Sequence, residues 1–278
     1  PTPPTLPDAG GGTEAWPLLS VVVPMYNEAD NVEAFYGRCR KVLDTLGVSW
    51  EIVCVDDGSR DATLAALIAL HHRDPRIKVI ELARNFGKEI ALTAGIDAAL
   101  GQAVVPIDAD LQDPPELIPD MLRLWREGHD VVYATRTERL GESWLKQQTA
   151  AGFYRLMERL SDVQVPPNTG DFRLMGRPAV DALRGLRERN RFMKGIFAWV
   201  GFRQVPLPYR RDPRHAGVSK WNWWSLVRLA VEGITSFSSA PLQLATFMGL
   251  VVSGLAFAYA GHRVVITLLR GPDVPGYP

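Results

Sequence analysis

Behind the apolar residues 103–107 the chain reads DADLQDPPE, which sets three carboxylates, Asp108, Asp110 and Asp113, within six residues. Negative charge clustered at the end of a buried strand is opposed by mutual repulsion and by desolvation. Two arrangements relieve it. One is a solvated loop in which Asp113 caps a helix begun at Pro114 and Pro115. The other is a site for a divalent cation. Hard oxygen donors of this kind suit Mg2+ or Mn2+, which bind through one or two carboxylates and complete their shells with water and phosphate.

Further polar residues stand in equivalent places, each directly behind an apolar run: Pro24, Tyr26, Asn27 and Glu28; Asp56 and Asp57; Arg84, Asn85 and Lys88; and Arg136. Asp56 and Asp57 have the chemistry to accept from a ring N–H or a ribose hydroxyl, or to shape an Asx turn with Gly58 and Ser59. Tyr26 is suited to stacking on a base or to ordinary packing. Lys88 falls at the start of a helical pattern, where a cation opposes the helix dipole, so it is expected to serve an outside anion. Neither GxGxxG nor GxxxxGK[ST] occurs, which disfavours a dinucleotide site and a P-loop. What remains is a nucleotide held partly by carboxylates, with a metal bridging its phosphates.

The elements that must position these residues follow from periodicity. Apolar runs at 19–23, 51–55, 78–82, 103–107 and 131–134 predict strands. Helical patterns at 31–46, with Asp30 as N-cap, and at 61–72, 88–100 and 115–127 fall between them. Alternation of this kind predicts βαβ units and a mainly parallel sheet, in which ligands bind at the carboxyl ends of the strands. All the polar residues above then gather on one rim.

Composition bounds the rest. Hydrophobic residues make up 46% and charged residues 22%, enough for a full core, and the 31 basic and 31 acidic residues cancel. No global charge argues for nucleic acid. Cys39 and Cys54 are expected as buried thiols, suiting a reducing compartment. Residues 1–17, with five prolines and three consecutive glycines, read as a disordered lead-in without a signal-peptide pattern. From Gly233 to Gly261 there is no charged residue, so 240–270 is expected to be a transmembrane helix. Residues 271–278 read as a loop toward a missing second span. Residues 221–239 carry Trp221, Trp223 and Trp224 and read as an amphipathic helix lying in the headgroup layer.

The motifs VVVPMYNE, VDDGS, RNFGK and DADLQDPPE, in this order, resemble the nucleotide-sugar-binding domain of the family 2 glycosyltransferases. GDFRLM, RNRFMKGIFAWVGF and YRRDPRHAGVSKWNWW are similar to the polyprenyl-phosphate branch of that family, which includes dolichol-phosphate mannose synthases and bacterial bactoprenol-phosphate glucosyltransferases. The resemblance implies an α/β catalytic domain over 18–220, with a GT-A-type, Rossmann-like, mainly parallel sheet flanked by helices. It further implies an inverting, metal-dependent transfer of sugar, glucose from UDP-glucose above other hexoses, to a polyprenyl (undecaprenyl) phosphate for envelope glycan modification. The partners are then a UDP-sugar, the lipid acceptor and the membrane, with no nucleic acid and with homo-oligomerisation left open. The location is the bacterial inner membrane, catalytic domain toward the cytoplasm.

By the same resemblance, Pro24, Tyr26, Asn27, Glu28, Asp56, Asp57, Lys88 and Asp108 face the nucleotide sugar, and Asp108, Asp110 and Gln112 face the metal. Asp171 stands where relatives place a catalytic carboxylate. Fixed positive charge for the acceptor phosphate is expected from Arg136, Lys146, Arg211, Arg214 and Lys220, the competing reading of the basic loop being a solvated segment attracted to an anionic membrane surface. The chain departs from its relatives after Lys146, where Gln147 and Gln148 replace a second basic residue. A processive polysaccharide synthase is disfavoured by the missing QxxRW motif, and a non-catalytic scaffold by the intact aspartate cluster.

Overall fold

A computed structural model describes residues 18–137, 168–186, 193–210 and 240–271. The lead-in at 1–17, Lys146, Arg211, Arg214, Lys220, the amphipathic segment 221–239 and the terminal 272–278 lie outside the described residues. Seven strands form one sheet: β1 (Leu19–Met25), β2 (Trp50–Asp56), β3 (Ile77–Glu81), β4 (Ala103–Pro106), β5 (Val131–Arg136), β6 (Thr169–Gly176) and β7 (Gln204–Tyr209). Their spatial order is β3-β2-β1-β4-β6-β5-β7.

The first four strands are mutually parallel. β6 enters antiparallel between β4 and β5, and β5 pairs parallel with β7. Covered on both faces, β2 is buried at every position and β1 at all but Pro24, which is why both read as continuous apolar runs. β1 has β2 on one side and β4 on the other. This reversal of direction opens a crevice at the carboxyl ends.

Helices cover the two faces: α1 (Ala29–Leu43), α2 (Thr63–Arg73), α3 (Lys88–Ala98), α4 (Ile118–Arg126), α5 (Arg177–Gly185) and α6 (Met193–Trp199). α1 buries Val32, Phe35, Tyr36, Cys39 and Leu43, a stripe at helical spacing. It begins before Asp30, which lies in its first turn. The cap position is Glu28, which makes no capping hydrogen bond through its side chain, so the expected Asp30 cap is corrected. Cys39 and Cys54 are both free and buried, and burial pushes the Cys54 thiol up to about 12.

α3 lies close on the sheet because it presents small residues to it. A Cβ at Gly95 would come 2.3 Å from Val22 Cγ1 and 3.0 Å from Val55 Cγ2. A last helix, α7 (Ala240–Arg270), is long and apolar enough over 245–270 to cross a membrane, and none of that span is buried within the protein.

Gly95→Ala is expected to lower the melting temperature of the detergent-solubilised protein, since overpacking a close contact costs about 1–3 kcal/mol. Gly37→Ala, whose added methyl meets open space, serves as the control and should leave stability unchanged or raised. Equal melting temperatures for the two variants would contradict the close approach of α3.

Candidate functional site

The rim expected from the sequence is present, and its loops are interlocked. After β1, Asn27 adopts φ 50°. Its amide donates to Ser59 Oγ at 2.9 Å, and its Oδ1 accepts from the Arg60 amide at 2.8 Å. The Glu28 amide donates to Thr63 Oγ1 at 2.9 Å. Pro24, Tyr26 and Glu28 are half-buried beside these turns. The loop after β1 and the loop after β2 are therefore one unit.

The aspartate pair divides its work. Asp56 Oδ2 accepts from the Ser59 amide at 3.2 Å and shapes the turn. Its Oδ1 is buried and has no hydrogen-bond partner among the described residues. Asp57 reaches the next loop instead, accepting from the Phe86 amide at 2.8 Å and the Gly87 amide at 2.9 Å. Gly58, directly after the pair, has φ +65°, and a Cβ there would lie 2.4 Å from the Arg84 carbonyl carbon. Only glycine admits both the left-handed backbone and the approach. The motifs VDDGS and RNFGK are thus bound face to face by a carboxylate and the absence of a side chain.

That contact fixes the start of α3 and so places Lys88. Its Nζ lies 2.7 Å from Asp108 Oδ1 and 2.6 Å from Asp171 Oδ2. Lys88, expected to serve an outside anion, is bound by two carboxylates of its own chain. Burial pushes its ammonium down, but Asp108 and Asp171 together outweigh this and hold it above its ordinary range. Asp171, on β6, is buried. One cation therefore joins the end of β4 to the start of the antiparallel β6.

Beyond Asp108 the chain turns through Leu111 at φ 59°, and Asp110 Oδ1 accepts from the Gln112 amide at 3.1 Å. Asp108, Asp110 and Gln112 are all half-exposed. Among the described residues no three His, Cys, Asp or Glu side chains converge as a metal cluster. The donor set of two carboxylates and one amide fits a hard cation that brings water and phosphate oxygens of its own. Asp113 does not cap the following helical turn, whose cap position is Pro114 with no side-chain cap. It is buried and accepts from the Tyr209 hydroxyl.

Arg136, at the end of β5, donates from Nε to Tyr209 Oη at 3.3 Å, and its Nη2 would meet a Cβ on Gly170 at 3.1 Å. It therefore lies against Gly170, on the face of β6 that also carries Phe172. Burial lowers its pKa, but Tyr209, Asp113 and Asp108 together raise it. Two residues escaped the sequence reading. Tyr209 is one. The other is Arg173, buried in β6, which donates to Gly170 O at 2.8 Å and Asp171 O at 3.3 Å with its guanidinium 3.8 Å from the Phe197 ring centre. Burial draws it down to about 10. A lone arginine within the apolar run of GDFRLM was its only signal.

Residues 20–184 match the family described as "Glycosyl transferase family 2". The chain is 54% identical over 259 residues to an uncharacterised glycosyltransferase of Synechocystis sp., covering 93% of this chain and 81% of that one. It is 45% identical over 260 residues to a bactoprenol glucosyl transferase of Shigella phage SfV, covering 94% and 85%. Among solved structures, mannosyl-3-phosphoglycerate synthase from Rubrobacter xylanophilus superposes with a TM-score of 0.52 at 20% identity, over 94% of this chain and 79% of that one. At this identity the likeness concerns the fold.

Asp57→Ala should leave the Phe86 and Gly87 amides without their acceptors. Their hydrogen exchange should accelerate about tenfold or more, since hydrogen bonds to charged groups contribute about 1.5–3 kcal/mol. Unchanged exchange at these two amides would show that the loop is held by other means.

Proposed function

Because this chain belongs to glycosyl transferase family 2 and is a glycosyltransferase, we propose that it transfers glucose from UDP-glucose to the phosphate of a membrane polyprenol, with inversion at the anomeric carbon. The observation that carries this reading is the joining of Asp108 to Asp171 through Lys88. It brings the aspartates suited to the donor side next to the one suited to the acceptor side. The choice of glucose and of a polyprenol follows the bactoprenol glucosyl transferases, which are 45% identical over 94% of this chain.

In this reading the nucleoside lies along the β1 and β2 loops. The buried Asp56 Oδ1, without a partner among the described residues, is an acceptor for a ring N–H. Tyr26, Asn27, Glu28 and Pro24 line the same side, and Asp57 acts by holding the loop that carries Lys88. Asp108, Asp110 and Gln112 would hold Mg2+ or Mn2+, and a cation bound there would supply Lewis-acid stabilisation of the departing charge.

The acceptor is a phosphate monoester whose second pKa is about 6, so at neutral pH it is mostly dianionic. A phosphate oxygen bonds to the anomeric carbon as the bond from that carbon to the UDP oxygen breaks, and UDP leaves with the electron pair. Asp171 needs only to take a residual proton or to orient the sugar. Lys88 offsets the charge of both carboxylates, so the anionic acceptor meets less repulsion. Arg136 faces the acceptor phosphate, joined by Lys146, Arg211, Arg214 and Lys220. α7 keeps the enzyme at the bilayer, which we take to be the bacterial plasma membrane with the catalytic domain on the cytoplasmic side, where UDP-sugars are made.

Membranes carrying the protein, supplied with undecaprenyl phosphate and Mg2+ or Mn2+, should convert UDP-glucose into a lipid-phosphate glucoside. Preferential use of a mannose, amino-sugar or arabinose donor would overturn the choice of glucose. Asp110→Asn should keep the fold while reducing transfer on the order of 100-fold or more. Full activity of wild type and variant in excess chelator would overturn the metal.

A further inference from the structure

Tyr209 sits where three distant parts of the chain meet. On β7 it pairs in register with Arg136 of β5, so the two side chains lie next to each other across parallel strands. Its hydroxyl donates to Asp113 Oδ1, at the far end of the aspartate loop, and accepts from Arg136 Nε at 3.3 Å. The carboxylate and the phenol are both buried, at 2% and 6% exposure, so water competes poorly for either bond. The ring is seated edge-on against Phe172 at 6.3 Å, and Phe172 directly follows Asp171. Behind it the strand ends are tied, since the Thr137 amide and hydroxyl both donate to the Tyr209 carbonyl, at 3.0 and 3.1 Å.

We infer that Tyr209 is a positioning residue for the acceptor: anchored by Asp113, its phenol holds the Arg136 guanidinium over Gly170 in the orientation that meets the acceptor phosphate. The inference rests on the proposed role of Arg136 and deepens it. An arginine side chain has many rotamers, and a planar fork grips a phosphate only when its plane is set beforehand. Anchoring through Nε sets that plane and turns the Nη1–Nη2 edge toward the ligand. The same phenol ties the aspartate loop to the acceptor side, and the next residues along the chain are Arg210 and Arg211.

The test uses the full chain with UDP-glucose and undecaprenyl phosphate, comparing Tyr209→Phe, Arg136→Gln and the double variant. Phenylalanine keeps the ring packing and removes only the hydroxyl. The acceptor KM of Tyr209→Phe should rise about tenfold, the scale set by losing a hydrogen bond to a charged group, with the UDP-glucose KM unchanged. Arg136→Gln should raise the acceptor KM at least as much. The double variant should be no worse than Arg136→Gln alone, because the phenol acts through the guanidinium. A purely structural tyrosine would instead lower the melting temperature and the active fraction with both KM values unchanged, and that result, or additive effects in the double variant, overturns the inference. If Arg136→Gln leaves the acceptor KM unchanged, the proposed role of Arg136 fails instead. Should Tyr209→Phe not fold, Asp113→Asn carries the test, with the same rise in acceptor KM expected and an unchanged value contradicting it.

Discussion

Two carboxylates brought together from distant segments share a single ammonium. Lys88 Nζ lies 2.7 Å from Asp108 and 2.6 Å from Asp171, and much of the rim is arranged to make that meeting possible. The lysine begins α3, where the helix dipole opposes a cation. The position is tolerated because two anions face it. α3 itself is brought down on the sheet by Gly95, which leaves no room for a Cβ against Val22. Its first turn is set by Asp57 through the Phe86 and Gly87 amides. Gly58 allows that loop to approach at all.

The same rim separates its charges by side. Acidic groups and the half-exposed amide of Gln112 collect at the ends of β2 and β4. The Arg136 guanidinium stands at the end of β5, and Asp171 lies between the two regions. The chain as a whole has zero formal charge, so this polarity is local and owes nothing to global composition. Arg173 supports it from beneath by donating to the carbonyls of Gly170 and Asp171, which ties the strand carrying Asp171 to a buried cation stacked on Phe197.

Much of this was legible in the sequence, for a physical reason. Parallel strands buried on both faces must be continuous apolar runs, so β1, β2 and β4 could be read directly, and the polar residues behind them fell on one rim by topology. Side-chain partners were less legible. Lys88 reads as serving an anion from outside the chain because the sequence shows the unfavourable helix terminus but not the carboxylates that compensate it. Asp113 looked like a helix cap because two prolines follow it, whereas Tyr209 arrives from β7 to take its carboxylate. β7 itself, QVPLPY, carries two prolines and little strand signal. β6 enters antiparallel, outside the βαβ alternation, and was visible only through its motif.

The dependence of the site on one shared cation is tested most directly by a double-mutant cycle on thermal stability between Lys88→Met and Asp171→Asn. If the ammonium and the carboxylate hold β6 to the start of α3, the two effects should be coupled by about 1–3 kcal/mol, the double variant losing less than the sum of the singles. Additivity to within about 0.5 kcal/mol, the behaviour of independent sites, would contradict the account.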